Sequence, residues 1–429
     1  MQIFRKLRNS LFVVALTCLL PWFVGCGDSS AQFTQNNVST RVQEIAGGVE
    51  DGMSRDLYQQ VTDILTAVFG TPDEPALVVG GADDGFVDID NLVLAAGPVY
   101  SGRLSGDADD AHLSKGLGLY RQHCVHCHGI NGDGKGPTAA FLKPYPRDFT
   151  MGKFKFNSTR VGVPSTHDDL RTILMNGING TAMPSFALLD RGEVEALIDY
   201  VKYLAVRGQS EKMLMFTAAS EYAGEDDETI PIDPSVLLGD PNDPDTEGII
   251  GIINSWKTAE PEVAPDEPNV PLVSEDPSGY SEEQKTELFA SIDRGRKLYY
   301  TQEANCYSCH GNTQLGDGNL GLYDDWTKEF ANWAAEKDEA KKEEFLALGG
   351  LEPRTIRPRN LRLGQYRGGR RPLDIFWRVH NGIDGSGMPA AKKLTHDQIW
   401  DIVNFVLWLP YEQISHPNVE LQTIDRARD

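Results

Sequence analysis

Two segments of the chain carry hydrophobic residues at helical spacing along one face. Val194, Leu197, Ile198, Val201 and Leu204 make the first stripe, and Ile399, Ile402, Val403, Val406 and Leu407 make the second. The same kind of start signal precedes both. Asp190 with Glu193, and Thr395 with Gln398, place a side-chain acceptor before a Glu or Gln three positions on, which is how a capping box satisfies free backbone N–H groups. A third helical stretch covers residues 57–69 and is stopped by Gly70 and Pro72. Shorter helices are predicted through Leu119 and Tyr120 and through Leu298 and Tyr299. The segment 324–348, rich in Ala, Glu and Lys with Trp326, Phe330 and Trp333 along one side, also reads as helix.

These elements belong to a repeat. GLGLYRQHCVHCHGINGDG at 116–134 matches RGRKLYYTQEANCYSCHGNTQLGDG at 294–318 once small insertions are allowed on either side of the second Cys-x-x-Cys-His. PRDFTMGKFK from Pro146 matches PRNLRLGQYR from Pro358, and MNGINGTAMPS from Met175 matches HNGIDGSGMPA from His380, both without gaps. The chain therefore contains two copies of one module, at 106–207 and 285–410, the second interrupted by the insertion at 324–348.

Charge sharpens this division. The 429 residues carry a net −23, which excludes a nucleic-acid binder of the usual basic kind. Each module is near neutral at +1, whereas residues 208–284 hold nine prolines, nineteen acidic and two basic residues, and residues 26–105 carry −9. The stretch 208–284 reads as an extended, self-repelling linker. Residues 26–105 read as an acidic, partly helical extension that either packs on the first module or spaces it from a membrane, and 411–429 as a tail.

The first 25 residues have the form of an export signal. Arg5, Lys6 and Arg8 precede an apolar run over 11–24, too short for an ordinary bilayer span of about 20 residues. The run closes on Phe23-Val24-Gly25-Cys26, which resembles the lipobox of bacterial lipoproteins, with Phe23 where that pattern prefers Leu. A lipid anchor on Cys26 is the expectation, with an uncleaved anchor or ordinary cleavage as alternatives. Each places the rest of the chain outside the cytoplasm, and cleavage would leave a net charge of −26.

Outside the signal, four cysteines remain: Cys124, Cys127, Cys306 and Cys309. Paired cysteines in an exported protein invite a disulfide reading. Zinc would draw four sulfurs into a tetrahedron but gives no reason for a His directly after each pair, and a thioredoxin-type motif needs a βαβ setting absent here. Cys-x-x-Cys-His is instead the signature of covalent haem attachment. Two thiols one helical turn apart can add to the two vinyl groups of a porphyrin, while His128 or His310 turns under the iron. For a further ligand the copies share a Met-Pro dipeptide in a Gly-rich loop, at Met183 and Met388, although Met175 aligned with His380 offers a competitor. His112, His123, His126, His167, His396 and His416 have no partner in the other copy, which favours surface or structural roles.

LYRQHCVHCHG, GTAMPSF and VEALIDYVKYLA in the first copy, with LYYTQEANCYSCHG, GSGMPAA and IWDIVNFVLWL in the second, resemble class I c-type cytochromes arranged as a dihaem protein. The resemblance covers roughly half the chain. It implies a mainly α fold with two cytochrome c-like helical haem domains joined by the acidic Pro-rich linker, and two covalently bound haem c. His128 and His310 would be proximal ligands, and Met183 and Met388 distal ones. The family's proline carbonyl behind the proximal imidazole would come from Pro137, and module two has no proline there, so its support would differ.

The shared Arg147 and Arg359, with Lys155 and Arg367, are candidates for pairing haem propionates; the alternative is a solvated surface charge. Arg354, Arg357, Arg362, Arg370 and Arg371 suggest a docking patch for an acidic partner. The function implied is a membrane-tethered periplasmic carrier passing single electrons between redox proteins, in a respiratory chain, without bond-making chemistry. One alternative is an electron-transfer subunit of a larger respiratory complex or dehydrogenase, hinted at by the apolar face of 57–69. Another is a dihaem peroxidase, which would require His380 in place of Met388 or an unbound methionine.

Overall fold

The computed structural model describes residues 31–78, 86–97, 118–223, 231–233, 237–240, 243, 246–262, 268–274, 277–323 and 339–412. The signal, Cys26, His112, His416 and the aromatic residues Trp326, Phe330 and Trp333 lie outside these. Two helical cores are present, one for each module.

Module one is organised around one long helix. Three helices come first in the chain, α1 (Asn37–Ala46), α2 (Arg55–Phe69) and α3 (Ile89–Ala95), followed by the short α4 (Leu119–His123) and α5 (Val125–His128), α6 (His167–Asn176) and the long α7 (Arg191–Thr217). Every residue of α7 from 196 to 208 is buried. A helix buried all round must have its polar groups satisfied. Asp199 accepts from Asp88 N–H at 3.2 Å and Asn91 Nδ2 at 2.7 Å, Lys202 donates to the Phe86 carbonyl, Tyr203 to the Phe69 carbonyl, and Arg207 to Glu211 at 2.8 Å. Most of these partners come from the N-terminal extension.

That settles where the extension lies: it packs on module one. Leu57, Val61, Leu65 and Phe69 of α2 are buried in one cluster with Leu197 and Leu204. Each such side chain contributes roughly 1.5–3 kcal/mol on burial, so the extension is part of the core. The apolar face of α2 is used within the chain and no longer hints at an outside contact.

Residues 208–284 depart from an extended linker. Helix α7 continues to Thr217, past the expected end at 207, and α8 (Ile249–Lys257) lays Ile249, Ile253 and Trp256 on the module-one core. The acidity of the whole stretch masks this short apolar helix, whose own sequence, IIGIINSWK, carries one cation and no acid. Further on, Asn404 accepts from Val273 N–H at 3.0 Å and donates to the Pro271 carbonyl at 3.0 Å, which ties this segment to module two.

Module two is built on α9 (Glu282–Tyr299) crossing α13 (His396–Trp408), with α10 (Cys306–His310), α11 (Glu339–Ala347) and α12 (Pro372–His380). At the crossing Gly295 lies against the Asp401 carbonyl with no room for a Cβ. Beside it Asp401 accepts from Ser291 Oγ at 2.7 Å and from Arg294 through both carboxylate oxygens at 2.9 Å. Two short strands, β1 (Leu322–Tyr323) and β2 (Thr355–Ile356), pair antiparallel and bracket the insertion, with Leu322 opposite Ile356.

The modules meet directly. Arg354 donates to the carbonyls of Leu142 at 3.1 Å and Ala140 at 2.9 Å, with its guanidinium over the Tyr145 ring, and Asn381 donates to the Thr159 carbonyl at 3.1 Å. This narrows the expected docking patch. Arg354 is turned inward to module one, Arg362 and Arg371 pair with Glu412 and Asp374, and Arg370 donates to Tyr411. Guanidinium groups find oxygen acceptors within the molecule first, as four of the five do here.

Candidate haem-binding sites

Each Cys-x-x-Cys-His lies on one tight helical turn. The His128 N–H donates to the Cys124 carbonyl at 2.9 Å, and Gly129 and Gly311 close the turns of α5 and α10 onto the Val125 and Tyr307 carbonyls. A buried tyrosine clamps each turn from behind: Tyr120 Oη donates to the Gly129 carbonyl at 2.8 Å and Tyr299 Oη to the Gly311 carbonyl at 2.8 Å. Both tyrosines stood in the repeat as helix markers only. Their sharing between the copies is the signal that would have singled them out.

The structure also resets the register of the repeat. Gly134 and Gly316 donate to the carbonyls of His128 and His310, each at 2.9 Å, and Gly136 and Gly318 to those of Cys127 and Cys309, each at 3.1 Å. No insertion separates the second motif from Gly316 and Gly318. The two Gly-Asp-Gly triplets are two residues out of step, and the small extra length around the second motif lies before its first cysteine.

The imidazoles of the two motifs are held alike in both modules. His128 Nδ1 donates to the Arg147 carbonyl at 2.9 Å and His310 Nδ1 to the Arg359 carbonyl at 3.0 Å. This corrects the assignment to Pro137, and with it the expectation that module two lacks equivalent support. Gly136 and Thr138 on either side of Pro137 bond back to the carbonyls of Cys127 and His126, so that stretch is tied along the motif's own turn. The acceptor comes from the Pro-Arg dipeptide that both copies share. With Nδ1 engaged, Nε2 is left as the lone-pair donor toward a metal. Burial pushes the His128 imidazole down to about 4, against the pull of the Arg147 carbonyl, and lowers His310 in the same way, so both are neutral at pH 7.

All four cysteines are free thiols, and burial pushes Cys124 up to about 12 and Cys306 to about 11. Among the described residues no three Cys, His, Asp or Glu side chains gather as a metal cluster, so the two motifs do not converge as a shared zinc site would demand.

Across from the module-one motif stands Met183. Its loop is closed by Ile178 N–H to the Met183 carbonyl at 3.1 Å and by Met183 N–H to Thr181 Oγ1 at 3.1 Å. Module two repeats both bonds, Ile383 N–H to the Met388 carbonyl at 3.0 Å and Met388 N–H to Ser386 Oγ at 3.2 Å. Gly177, at φ +63°, leaves no space for a Cβ, which would lie 2.6 Å from the Pro184 carbonyl carbon. The competitor His380 is engaged elsewhere. Its Nδ1 lies 2.8 Å from Asn381 Oδ1 and 3.4 Å from Glu262, and its ring packs on Phe376 and His396.

Between the motif and Met183 lies a cavity of about 390 Å³, a usual size for a cofactor site. Cys124, Cys127 and His128 line it together with Met183, its remaining wall is largely apolar, and Arg147, Lys155 and Arg367 bring the cations. Two thiols, a neutral imidazole with Nε2 available, a thioether and an apolar slot make the donor set of a covalently held haem. The residues fit that group.

Comparisons with known proteins agree on the modules. Residues 111–201 match the family model for cytochrome c oxidase, cbb3-type, subunit III, and residues 292–410 match the model for cytochrome c. No curated protein matches the sequence. Among solved structures the chain is similar to one in a reducing HAO-like protein complex of Kuenenia stuttgartiensis, at 22% identity and a TM-score of 0.41, over 68% of this chain and 94% of that one. A likeness that loose bears on neither fold nor function. Cytochrome c domains imply covalently bound haem c and electron transfer. The chain is a mainly helical protein with two cytochrome c domains.

Proposed function

We propose that this chain is a dihaem c-type cytochrome that carries single electrons between redox proteins outside the cytoplasm, tethered to a membrane by a lipid on Cys26. The observation that carries the reading is the twofold recurrence of one arrangement: a neutral His with Nδ1 fixed on an Arg carbonyl, two free thiols on its turn, and a Met-Pro loop closed by the same bonds. Among the described residues no helix is long and apolar enough to cross a membrane, so a tether would depend on the N-terminal segment.

Haem c, when bound, supplies a one-electron couple at its iron. Cys124 and Cys127 in module one, and Cys306 and Cys309 in module two, would hold it covalently. His128 and His310 present Nε2, and their Nδ1 bonds fix the rings, which limits rearrangement when the charge at the site changes. Met183 and Met388 would offer the haem a thioether sulfur each, and Arg147 and Arg359, with Lys155 and Arg367, would pair its propionates. A peroxidase needs a site that opens or takes a displaceable His, and the engagement of His380 with Asn381, Glu262 and His396 argues against that.

The test is haem quantified per chain on the purified oxidised protein, with electron paramagnetic resonance and near-infrared spectra. Two low-spin haems, both with the methionine-to-iron charge-transfer band, are expected. A high-spin or bis-histidine haem would sink the carrier reading and make peroxide reduction the next assay.

A further inference from the structure

The repeat assigns one cation to each module, Lys155 to the first and Arg367 to the second. The structure does not keep them apart. Both line the module-one cavity, and Arg367 crosses from module two to donate through Nη2 to the Gly180 carbonyl at 3.3 Å, inside the loop that carries Met183. The crossing has a reciprocal. Arg147 of module one reaches the equivalent loop of module two, where a Cβ on Gly385 would lie 2.8 Å from its Nη1, and the Arg359 guanidinium lies 3.9 Å from a Cβ position on Gly180. Gly180 and Gly385 hold the same place in the two Met-Pro loops. Each loop is therefore met at its glycine by an arginine of the opposite module.

Arg147, Lys155 and Arg367 thus share the wall of one largely apolar cavity, and Arg359 stands beside the loop that closes it. A haem brings an apolar macrocycle and two carboxylates, and a guanidinium fork matches a carboxylate.

We propose that Arg367, although it belongs to module two, is a positioning residue for the haem of module one, and that the crossed arginines make the two modules one redox unit. This rests on the haem reading above. The module-one site is incomplete without module two, and a change of charge at either site is felt at the other.

The test uses the full-length holoprotein. Haem per chain is measured first; fewer than two in the wild type would be a failure of the haem reading and not of this one. Reduction potentials are then followed by optical and paramagnetic resonance titration in the wild type, Arg367→Gln and Arg367→Lys, with Met183→His marking which potential belongs to module one. A cation beside the site stabilises the added electron. Arg367→Gln is expected to lower the module-one potential and to move the module-two potential less, and Arg367→Lys to restore most of the loss, a rescue that a merely structural role would not show. Movement of the module-two potential alone, or of neither, overturns the proposal. A second measurement needs no variant. In the wild type, reduction of one haem is expected to lower the potential of the other, and two independent one-electron curves would overturn the single redox unit.

Discussion

In module one the ring of Phe149 stacks on His128 at 4.4 Å between centroids and the imidazole is only 9% exposed; in module two Leu361 stands in the place of Phe149 and His310 is half-buried. The backbone around the two residues is the same, since Phe149 N–H donates to the Gly132 carbonyl and Leu361 N–H to the Gln314 carbonyl. The surroundings differ more widely. Module one is wrapped by α1 to α3 and α8, and its last helix runs 27 residues, while the corresponding α13 runs 13. Ligand geometry is thus set by local backbone bonds that recur, and the burial around it by packing that does not. Two sites with one ligand set can differ in potential for this reason alone.

The largest expected effect breaks the likeness at the distal side. Met183→Ala and Met388→Ala should each remove about half of the methionine-to-iron charge-transfer band of the oxidised protein and lower the potential of one haem. Near-infrared spectra of the two variants check it. If Met388→Ala left the band intact, the equivalence of the two loops would be wrong, despite their matching bonds at 3.0 and 3.2 Å.

The proximal side offers a finer exchange. Phe149→Leu gives module one the residue of module two, and Leu361→Phe does the reverse. Loss of the stacked ring and of its volume should cost module one about 1–2 kcal/mol, read from chemical denaturation of the holoprotein. The two potentials should also draw closer in Phe149→Leu. An unchanged gap would place the origin of any difference in the wrapping helices instead.

How far the sequence could go follows from which groups carry the bonds. The thiols, imidazoles and methionines announce themselves through side chains at fixed spacing, and the capped helices follow from periodicity, as Thr395 and Gln398 show with reciprocal bonds at 3.3 and 2.9 Å. The carbonyls of Arg147 and Arg359 do not, because a backbone acceptor leaves no mark on residue type. A family habit therefore pointed to Pro137. The Gly-Asp-Gly triplets misled for a related reason: Gly134 and Gly316 are matched by what their N–H groups bond, not by the Asp beside them. Composition hid α8, since a −17 charge averaged over 77 residues conceals a nine-residue apolar helix. The helical face of 57–69 was plain, but what it packs on was not, because a periodic stripe has no address.

The smallest expected effect lies at the joint between the Met-loop helix and the last helix of each module. In module one that joint is ionic: Glu195 of α7 accepts from Arg171 of α6 at 2.8 and 2.9 Å and lies 2.6 Å from His167 Nε2. The equivalent positions in module two hold Phe376 and Trp400, whose rings meet at 4.6 Å. The Arg171 hydrogen bonds hold the Glu195 carboxyl down at about 2, against burial, with His167 adding to them. A carboxyl held below its unfolded value stabilises the fold above that value, and the contribution fades as pH falls from about 4.5 toward 2. The pair is partly exposed, so solvent screening keeps it to ~1 kcal/mol or less. Module one should therefore lose this part of its stability in acid, while the contact between Phe376 and Trp400 in module two holds no carboxyl to protonate. Denaturation followed from pH 6 to pH 2 checks it, with Glu195→Gln as control. That variant should be weaker by ~1 kcal/mol at pH 7, converge with the wild type near pH 2, and flatten the acid limb. An acid limb that Glu195→Gln leaves untouched would mean the ionic joint and the aromatic one are interchangeable after all.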